Sequence, residues 1–274
     1  MNICLAYFSA TRNTARIAQV ISDRFEHLGA QVDTKDITSL QARQKDLDLG
    51  PYQAAIFGAP IHSARAPRVV RDWLGTLNGK GLRCATFFTY GGFGVHPTHA
   101  STRKILEARG FDFVSSAEFL GKHTFNIGGW SAMADRPNQA DFDVASEFAD
   151  KTYQRFAGED VGRPDPFEIT SKTEEELAAM EQMRYKAVSQ LPTRMGEDCS
   201  MCMRCEELCP TQTMDAEKGE VRNPSDCLVC LRCMDNCPED ALHINDLRPL
   251  WPIKLQMDKV TEASLKQKAS KVYL

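Results

Sequence analysis

Apolar residues follow two rhythms along the first 157 residues. Short unbroken runs such as ICLAYF (3–8), AAIFGAP (54–60) and CATFFTY (84–90) alternate with stretches whose apolar positions recur every three or four residues. An unbroken run of that length suits a strand covered on both faces, and the longer spacing is one face of a helix. The pattern predicts strands at about 2–9, 31–36, 52–58, 83–90 and 112–120, and helices at about 13–28, 67–78, 98–109 and 139–157. Gly29, Gly58, Gly79, Gly81 and Gly110 punctuate these elements, as turns and helix ends do. The stretch 37–50 fits either a short helix or a loop. Such alternation predicts an α/β domain on a doubly wound, five-stranded parallel sheet.

The rhythm breaks after residue 157. Residues 158–172 (GEDVGRPDPFEITSK) are rich in Pro, Gly and charge and read as a linker. Thr173 and Glu176 then form a capping-box pattern, predicting a helix from 174 to about 190 that ends before Pro192. From residue 199 the chain repeats itself: CSMCMRCEELCPTQTM and CLVCLRCMDNCPEDAL align at an offset of 28 residues. Four segments follow: 1–157, a linker and helix over 158–194, a cysteine module over 195–246, and a tail over 247–274.

Charge adds a contrast between these segments. The net charge is −4, but residues 195–246 hold 4 basic and 12 acidic groups, and residues 247–274 hold 6 and 2. The most distinctive segment is therefore acidic, which argues against nucleic acid as a partner. The basic tail is expected to fold onto acidic surface or to meet an acidic partner. No apolar run approaches the ~20 residues that span a bilayer, and the N-terminus lacks a secretory pattern. The protein is expected in the cytoplasm. There, eight of the ten cysteines crowded between Cys199 and Cys237 argue for metal rather than disulfides.

Each copy of the repeat reads C-x2-C-x2-C-x3-C-P, with Cys199, Cys202, Cys205 and Cys209 in the first and Cys227, Cys230, Cys233 and Cys237 in the second. This is the bacterial ferredoxin run, in which the fourth cysteine serves the other cluster. Three closely spaced thiolates wrap one cluster, and the fourth starts the departing chain, turned by Pro210 or Pro238. Structural zinc is the alternative for thiolates at C-x2-C spacing. The segment closely resembles dicluster bacterial ferredoxins, which implies a small α+β domain with two 4Fe–4S clusters. One would take Cys199, Cys202, Cys205 and Cys237, and the other Cys227, Cys230, Cys233 and Cys209.

Three loops leave predicted strands at the carboxyl edge, where doubly wound sheets bind ligands. They are Ser9–Thr14 (SATRNT), 58–67 (GAPIHSARAP) and Thr89–Gly94 (TYGGFG). The arrangement resembles flavodoxin-like domains and implies FMN. Its phosphate would meet Ser9, Thr11, Arg12, Asn13 and Thr14. Its ring would lie against Pro60, Ile61, His62, Ser63 and Ala64, and against Thr89, Tyr90, Gly91, Gly92, Phe93 and Gly94. With MADRPNQADFD (133–143), most of the chain resembles a flavodoxin–ferredoxin fusion family. Arg12 departs from that pattern by standing where glycine is usual. It implies either a left-handed strain or an ordinary backbone, and it offers positive charge to a phosphate. The alternative for the first loop is an ordinary strand-to-helix turn.

Other residues add less. His96, His99 and His123 are candidates for a substrate pocket, and Cys4 and Cys84 are expected to be buried apolar groups. Trp251 is expected to pin the tail, with Trp73 and Trp130 as packing residues. No nicotinamide fingerprint is present. The expected function is electron transfer between two 4Fe–4S clusters, FMN and a redox partner protein. A flavin-dependent reductase of a small organic acceptor is the alternative. Oligomeric state is not readable from the sequence.

Overall fold

A computed structural model describes residues 1–274 except 96, 165, 184–186 and 197. The first domain alternates β1 (Asn2–Tyr7), α1 (Asn13–His27), β2 (Gln31–Asp36), α2 (Leu40–Gln44), β3 (Ala54–Pro60), α3 (Arg68–Leu74), β4 (Arg83–Tyr90), α4 (Thr98–Ala108), β5 (Asp112–Leu120) and α5 (Gln139–Ala157). The ambiguous stretch thus holds the short helix α2, capped by the Ser39 hydroxyl. Strands β1 to β5 are all parallel, in the order 2-1-3-4-5. That order is the flavodoxin-like form of the doubly wound sheet, with a crevice where β1 and β3 diverge.

Strand alternation builds two core layers. Ile3 and Leu5 face Ile17, Ile21 and Phe25 of α1 and Phe148 of α5. Cys4, Ala6 and Phe8 face the other side, with Trp73 and Leu74 of α3. Both strand cysteines are fully buried, and burial pushes the Cys4 thiol up to about 12, so they behave as small apolar groups. Gly58 in β3 lies opposite Phe87 of β4, and a Cβ there would sit 2.1 Å from the Phe87 ring.

The sheet has a sixth strand that the sequence pattern did not reveal. The expected basic tail folds as α9 (Leu250–Met257), α10 (Glu262–Lys266) and β10 (Lys271–Tyr273), and β10 pairs antiparallel with β5. Five parallel strands therefore become six, with one reversed at the edge. Polar side chains hold the tail to the domain. Ser270 donates to Asp141 at 2.5 Å, and Lys268 donates to the Gly92 carbonyl at 2.5 Å. Trp251 donates to Glu262 at 2.7 Å and packs on Trp130. Asp141, fully buried, also pairs with Arg136 and completes the capping box of α5 with Asn138.

A buried polar network closes the β5 edge. Glu118, only 2% exposed, accepts from His99 Nε2 at 3.1 Å, Tyr273 at 3.0 Å and Tyr90 at 3.3 Å. His99 Nδ1 then meets Ser116 Oγ at 2.7 Å. Burial alone would raise the Glu118 carboxyl, but the hydrogen bonds from His99 and Tyr273 outweigh it and hold it below its usual value. Burial and the Glu118 charge both push the Tyr90 and Tyr273 hydroxyls up.

The linker helix α6 (Glu174–Met183) starts with the reciprocal Thr173–Glu176 box. The rest of the helix expected to 190 crosses residues 184–186, outside the described residues. Arg65, buried in the β3–α3 loop, pairs with Glu174 at 2.5 Å and Glu181 at 3.5 Å, so α6 is clamped to that loop. Beyond it, residues 193–243 form one arrangement twice. Helix α7 (Arg204–Glu207) and strand β7 (Met214–Asp215) recur 28 residues later as α8 (Arg232–Asp235) and β9 (Leu242–His243). Strand β7 pairs with β8 (Glu220–Val221), and β9 pairs with β6 (Thr193–Arg194). Even the left-handed residues repeat: Met201 and Val229 (φ 56° and 48°), Met203 and Leu231 (62° and 54°), Gln212 and Asp240 (52° and 50°).

Candidate functional site

The three carboxyl-edge loops enclose one cleft. Ser9, Thr11, Asn13 and Thr14 line it from the first loop, Pro60, Ile61 and His62 from the second, and Thr89, Tyr90 and Gly91 from the third. Ala10, Gly121, Lys122, His123 and Thr124 complete the lining; the sequence reading named His123 as a pocket candidate and missed the other four. Four of the five follow β5. That strand ends at the same edge as β1, β3 and β4, and this was the available signal.

Much of the first loop is already committed. The Ser9 hydroxyl accepts from the Ala15 N–H at 3.1 Å, near the start of α1, and Thr14 and Thr89 share a hydroxyl contact of 2.8 Å. Asn13 donates to the Lys122 carbonyl at 2.9 Å, tying the first loop to the fourth. Arg12 keeps the left-handed backbone a glycine would take, at φ 65°, and caps no helix N–H. A non-glycine residue there costs roughly 1–2 kcal/mol. Of the two backbones expected, the strained left-handed one is present, and the Arg12 side chain is exposed outside the cleft lining.

The second loop doubles back tightly. His62 and Arg65 exchange backbone hydrogen bonds of 2.8 and 3.2 Å around Ser63 and Ala64, both left-handed at φ 51° and 67°. Two positive φ values in a two-residue turn are the primed-turn geometry that normally selects Asn-Gly. Neither Ser63 nor Ala64 lines the cleft, and the Ala64 carbonyl instead accepts from Thr98 at 2.8 Å. In the third loop, Gly92, Phe93 and Gly94 also fall outside the lining. The Phe93 ring packs against His123, Trp130 and Trp251, with the Lys254 ammonium 4.6 Å from its centroid. His62 and His123 border the cleft, His99 belongs to the Glu118 network, and His96 lies outside the described residues.

Gly91 explains one of the two glycines of TYGG. A Cβ there would stand 2.2 Å from the His123 ring. Gly91→Ala is expected to push that ring from its place and weaken a cleft ligand about 10-fold or more, from an overpacking cost of roughly 1–3 kcal/mol. Ligand titration at unchanged far-UV circular dichroism checks this, and unchanged affinity would refute it.

The eight module cysteines form two sets. Cys199, Cys202, Cys205 and Cys237 line one pocket with Met203, Ala216 and Leu242. Cys209, Cys227, Cys230 and Cys233 line another with Met214, Val221 and Leu231. Each set joins three cysteines of one run to the fourth of the other. Burial raises the Cys233 thiol well above its usual value, and Cys230, Cys227 and Cys209 raise it further. Burial likewise raises Cys205, with Cys199 and Cys237 adding to it. Backbone N–H groups point at sulfur, as from Val229 to Cys227 at 3.4 Å and from Ala241 to Cys237 at 3.3 Å. Among the described residues, no three His, Cys, Asp or Glu side chains converge as ligands of a single metal ion.

The second set touches the cleft-forming domain. Arg232, between Cys230 and Cys233 in sequence, donates to the Ser9 carbonyl at 2.9 Å and the Ala10 carbonyl at 3.1 Å. Cys230 shares an apolar cluster with Phe8 and Ala10, and Val229 and Leu231 pack with Tyr90 and Leu120.

No family model matches the chain, and no curated protein matches it in sequence. Among solved structures, an archaeal flavodoxin is 16% identical, with 57% of this chain and 99% of that one covered at a TM-score of 0.44. Flavodoxin 2 from Bacillus cereus is 18% identical, with 58% and 100% covered and a TM-score of 0.44. Rubredoxin:oxygen oxidoreductase from Desulfovibrio gigas is 16% identical, with 59% and 37% covered and a TM-score of 0.43. Among the described residues no helix is long and apolar enough to cross a membrane.

Proposed function

We propose that the protein is an iron–sulfur flavoprotein that passes electrons between FMN in the cleft, a 4Fe–4S cluster in each cysteine pocket, and a redox partner protein. The observation that carries this reading is the sorting of eight cysteines into two crossed sets, one of them packed on the first cleft loop.

The residues suit these groups. Left-handed residues inside each cysteine loop turn successive N–H groups inward, a concavity that favours sulfur and other anions. In each set one thiol, Cys205 or Cys233, is pushed up by burial and by neighbouring thiolates, which suits a cationic guest. Structural zinc held by thiolates at ~2.3 Å is the alternative guest for either set. At the cleft, the first loop opens a 15-residue helix whose N-terminal N–H groups suit a phosphate. Bound clusters would carry single electrons, and a bound flavin would hold two. The chain supplies binding, orientation and exclusion of water. His62 and His123 border the cleft, and the tail that holds α9 and α10 covers the third loop behind Phe93.

Anaerobically purified or reconstituted protein is expected to hold about eight iron, eight acid-labile sulfide and one FMN per chain, taking four iron per cluster. One or two zinc ions without sulfide would overturn the cluster reading. Iron and sulfide without flavin would overturn the cleft reading alone. Steady turnover of a small organic acceptor with dithionite and no second protein would move the function to a reductase.

A further inference from the structure

The two halves of the module share one backbone but not one environment. Cys202 and Cys230 are equivalent positions, yet Cys202 is exposed and Cys230 is 8% exposed. Met201 is 41% exposed, and its counterpart Val229 is 1%. The difference comes from what covers each copy. The first cleft loop, Tyr90 and Leu120 cover the Cys227 run, whereas the Cys199 pocket is bounded by the module's own Arg194, Ala216, Gly219 and Leu242.

The uncovered copy also carries a patch of its own. Met195 is 65% exposed, and its N–H bonds the Ala241 carbonyl at the rim of the Cys199 pocket. Met201 lines that pocket, its sulfur 3.1 Å from Arg194 and 3.9 Å from Cys199. Methionine is the side chain that adapts to varied protein partners, and here Met201 lines the same pocket as the exposed Cys202. Asp198, Glu207 and Asp240 are exposed next to the cysteines of this set, with the cation Arg204 between them. Apolar, adaptable and rimmed by acid, the patch complements a basic face.

We propose that the Cys199/Cys202/Cys205/Cys237 set is the outer redox centre, docking a one-electron redox protein through a basic surface, and that the Cys209/Cys227/Cys230/Cys233 set is the inner relay to the cleft. The assignment rests on the cluster reading above. Each encounter moves one electron: the partner's centre is oxidised by one as the outer centre is reduced by one, or the reverse for an acceptor. No proton or bond changes hands at the interface.

The first test reads the order of exposure without any turnover. Loaded full-length protein is treated with limiting ferricyanide until about half its iron is lost, four of eight under the cluster reading. Free thiols are then alkylated with iodoacetamide and mapped by mass spectrometry. Label is expected at Cys199, Cys202, Cys205 and Cys237, with the other set protected. Label first on the Cys227 set, or equally on both, overturns the assignment. Protein that holds no acid-labile sulfide at the start fails the cluster reading instead, so the two failures are separable.

The second test compares equivalent charges. Glu207 and Asp235 occupy matching positions of the repeat and both are exposed. Ferricytochrome c, a basic one-electron acceptor, is mixed with dithionite-reduced protein at low salt. Glu207→Lys is expected to slow haem reduction about threefold or more, and Asp235→Lys to change it by less than about 1.5-fold. An equal or larger effect of Asp235→Lys overturns the docking face.

Discussion

Replacing His99 by leucine is expected to lower stability by about 3 kcal/mol at neutral pH, the low end of the cost of stranding one member of a buried pair. Glu118 would keep its two tyrosine donors but lose the imidazole that helps hold its carboxylate below the usual range. The pH dependence distinguishes this cause from lost packing. In the native chain the depressed carboxyl contributes stability that is present above its unfolded value, near 4.3, and is lost only as pH falls through the folded value. Between pH 7.5 and 5 it is therefore silent. In the variant, burial dominates and raises the carboxyl, so the folded state takes up a proton and gains stability as pH falls. The gap between native and variant melting temperatures should be widest at pH 7.5 and narrow toward pH 5. A constant gap would mean that Glu118 is not its origin. Adding Glu118→Gln to the variant should recover part of the loss, since an amide carbonyl still accepts from a tyrosine and strands no charge.

Arg232→Met is the second large expected effect. The guanidinium makes two charge-assisted bonds to the carbonyls of Ser9 and Ala10, each worth roughly 1.5–3 kcal/mol. In a trans peptide the carbonyl and the following N–H point in opposite directions. Holding those two carbonyls toward the module thus fixes the N–H groups of Ala10 and Thr11 away from it, in the loop that lines the cleft. Loss of Arg232 is expected to loosen the module, seen as faster hydrogen exchange across residues 227–237, and also to weaken FMN binding about 10-fold. Looser exchange with unchanged flavin affinity would show that the loop keeps its shape unaided. Lysine is not expected to rescue, because a single ammonium does not reproduce the fork that reaches both carbonyls.

Much of the first domain was legible because its information is local and periodic. Unbroken apolar runs marked β1, β3 and β4, whereas the edge strand β2 (QVDTKD), with no buried residue, lacks such a run. The sixth strand left no such mark: three residues, Lys271 to Tyr273, sit in a basic stretch, and what makes them a strand is Glu118 and Ala117 across the sheet. The module was legible through spacing, which fixes how far each thiol can reach. Which copy would be covered was not, although Met201 against Val229 already hinted at it. At the cleft, hydroxyl-rich loops announced themselves, whereas Lys122 and His123 follow β5 without any recurring pattern. Arg12 shows the limit of reading a residue type: an arginine left the backbone open, and the structure gives it a left-handed φ of 65°.

Strand β10 also bears on how the chain is made. Its Ser270 meets Leu120 across 150 residues of sequence, and the whole cysteine module lies between them. At about 5–20 residues per second, β5 leaves the ribosome roughly 8–30 s before its edge partner exists. During that interval β5 presents an unpaired edge, and Glu118 waits without Tyr273. A nascent chain must pass that window with its last strand open, and a message cut short anywhere in the module leaves it open for good.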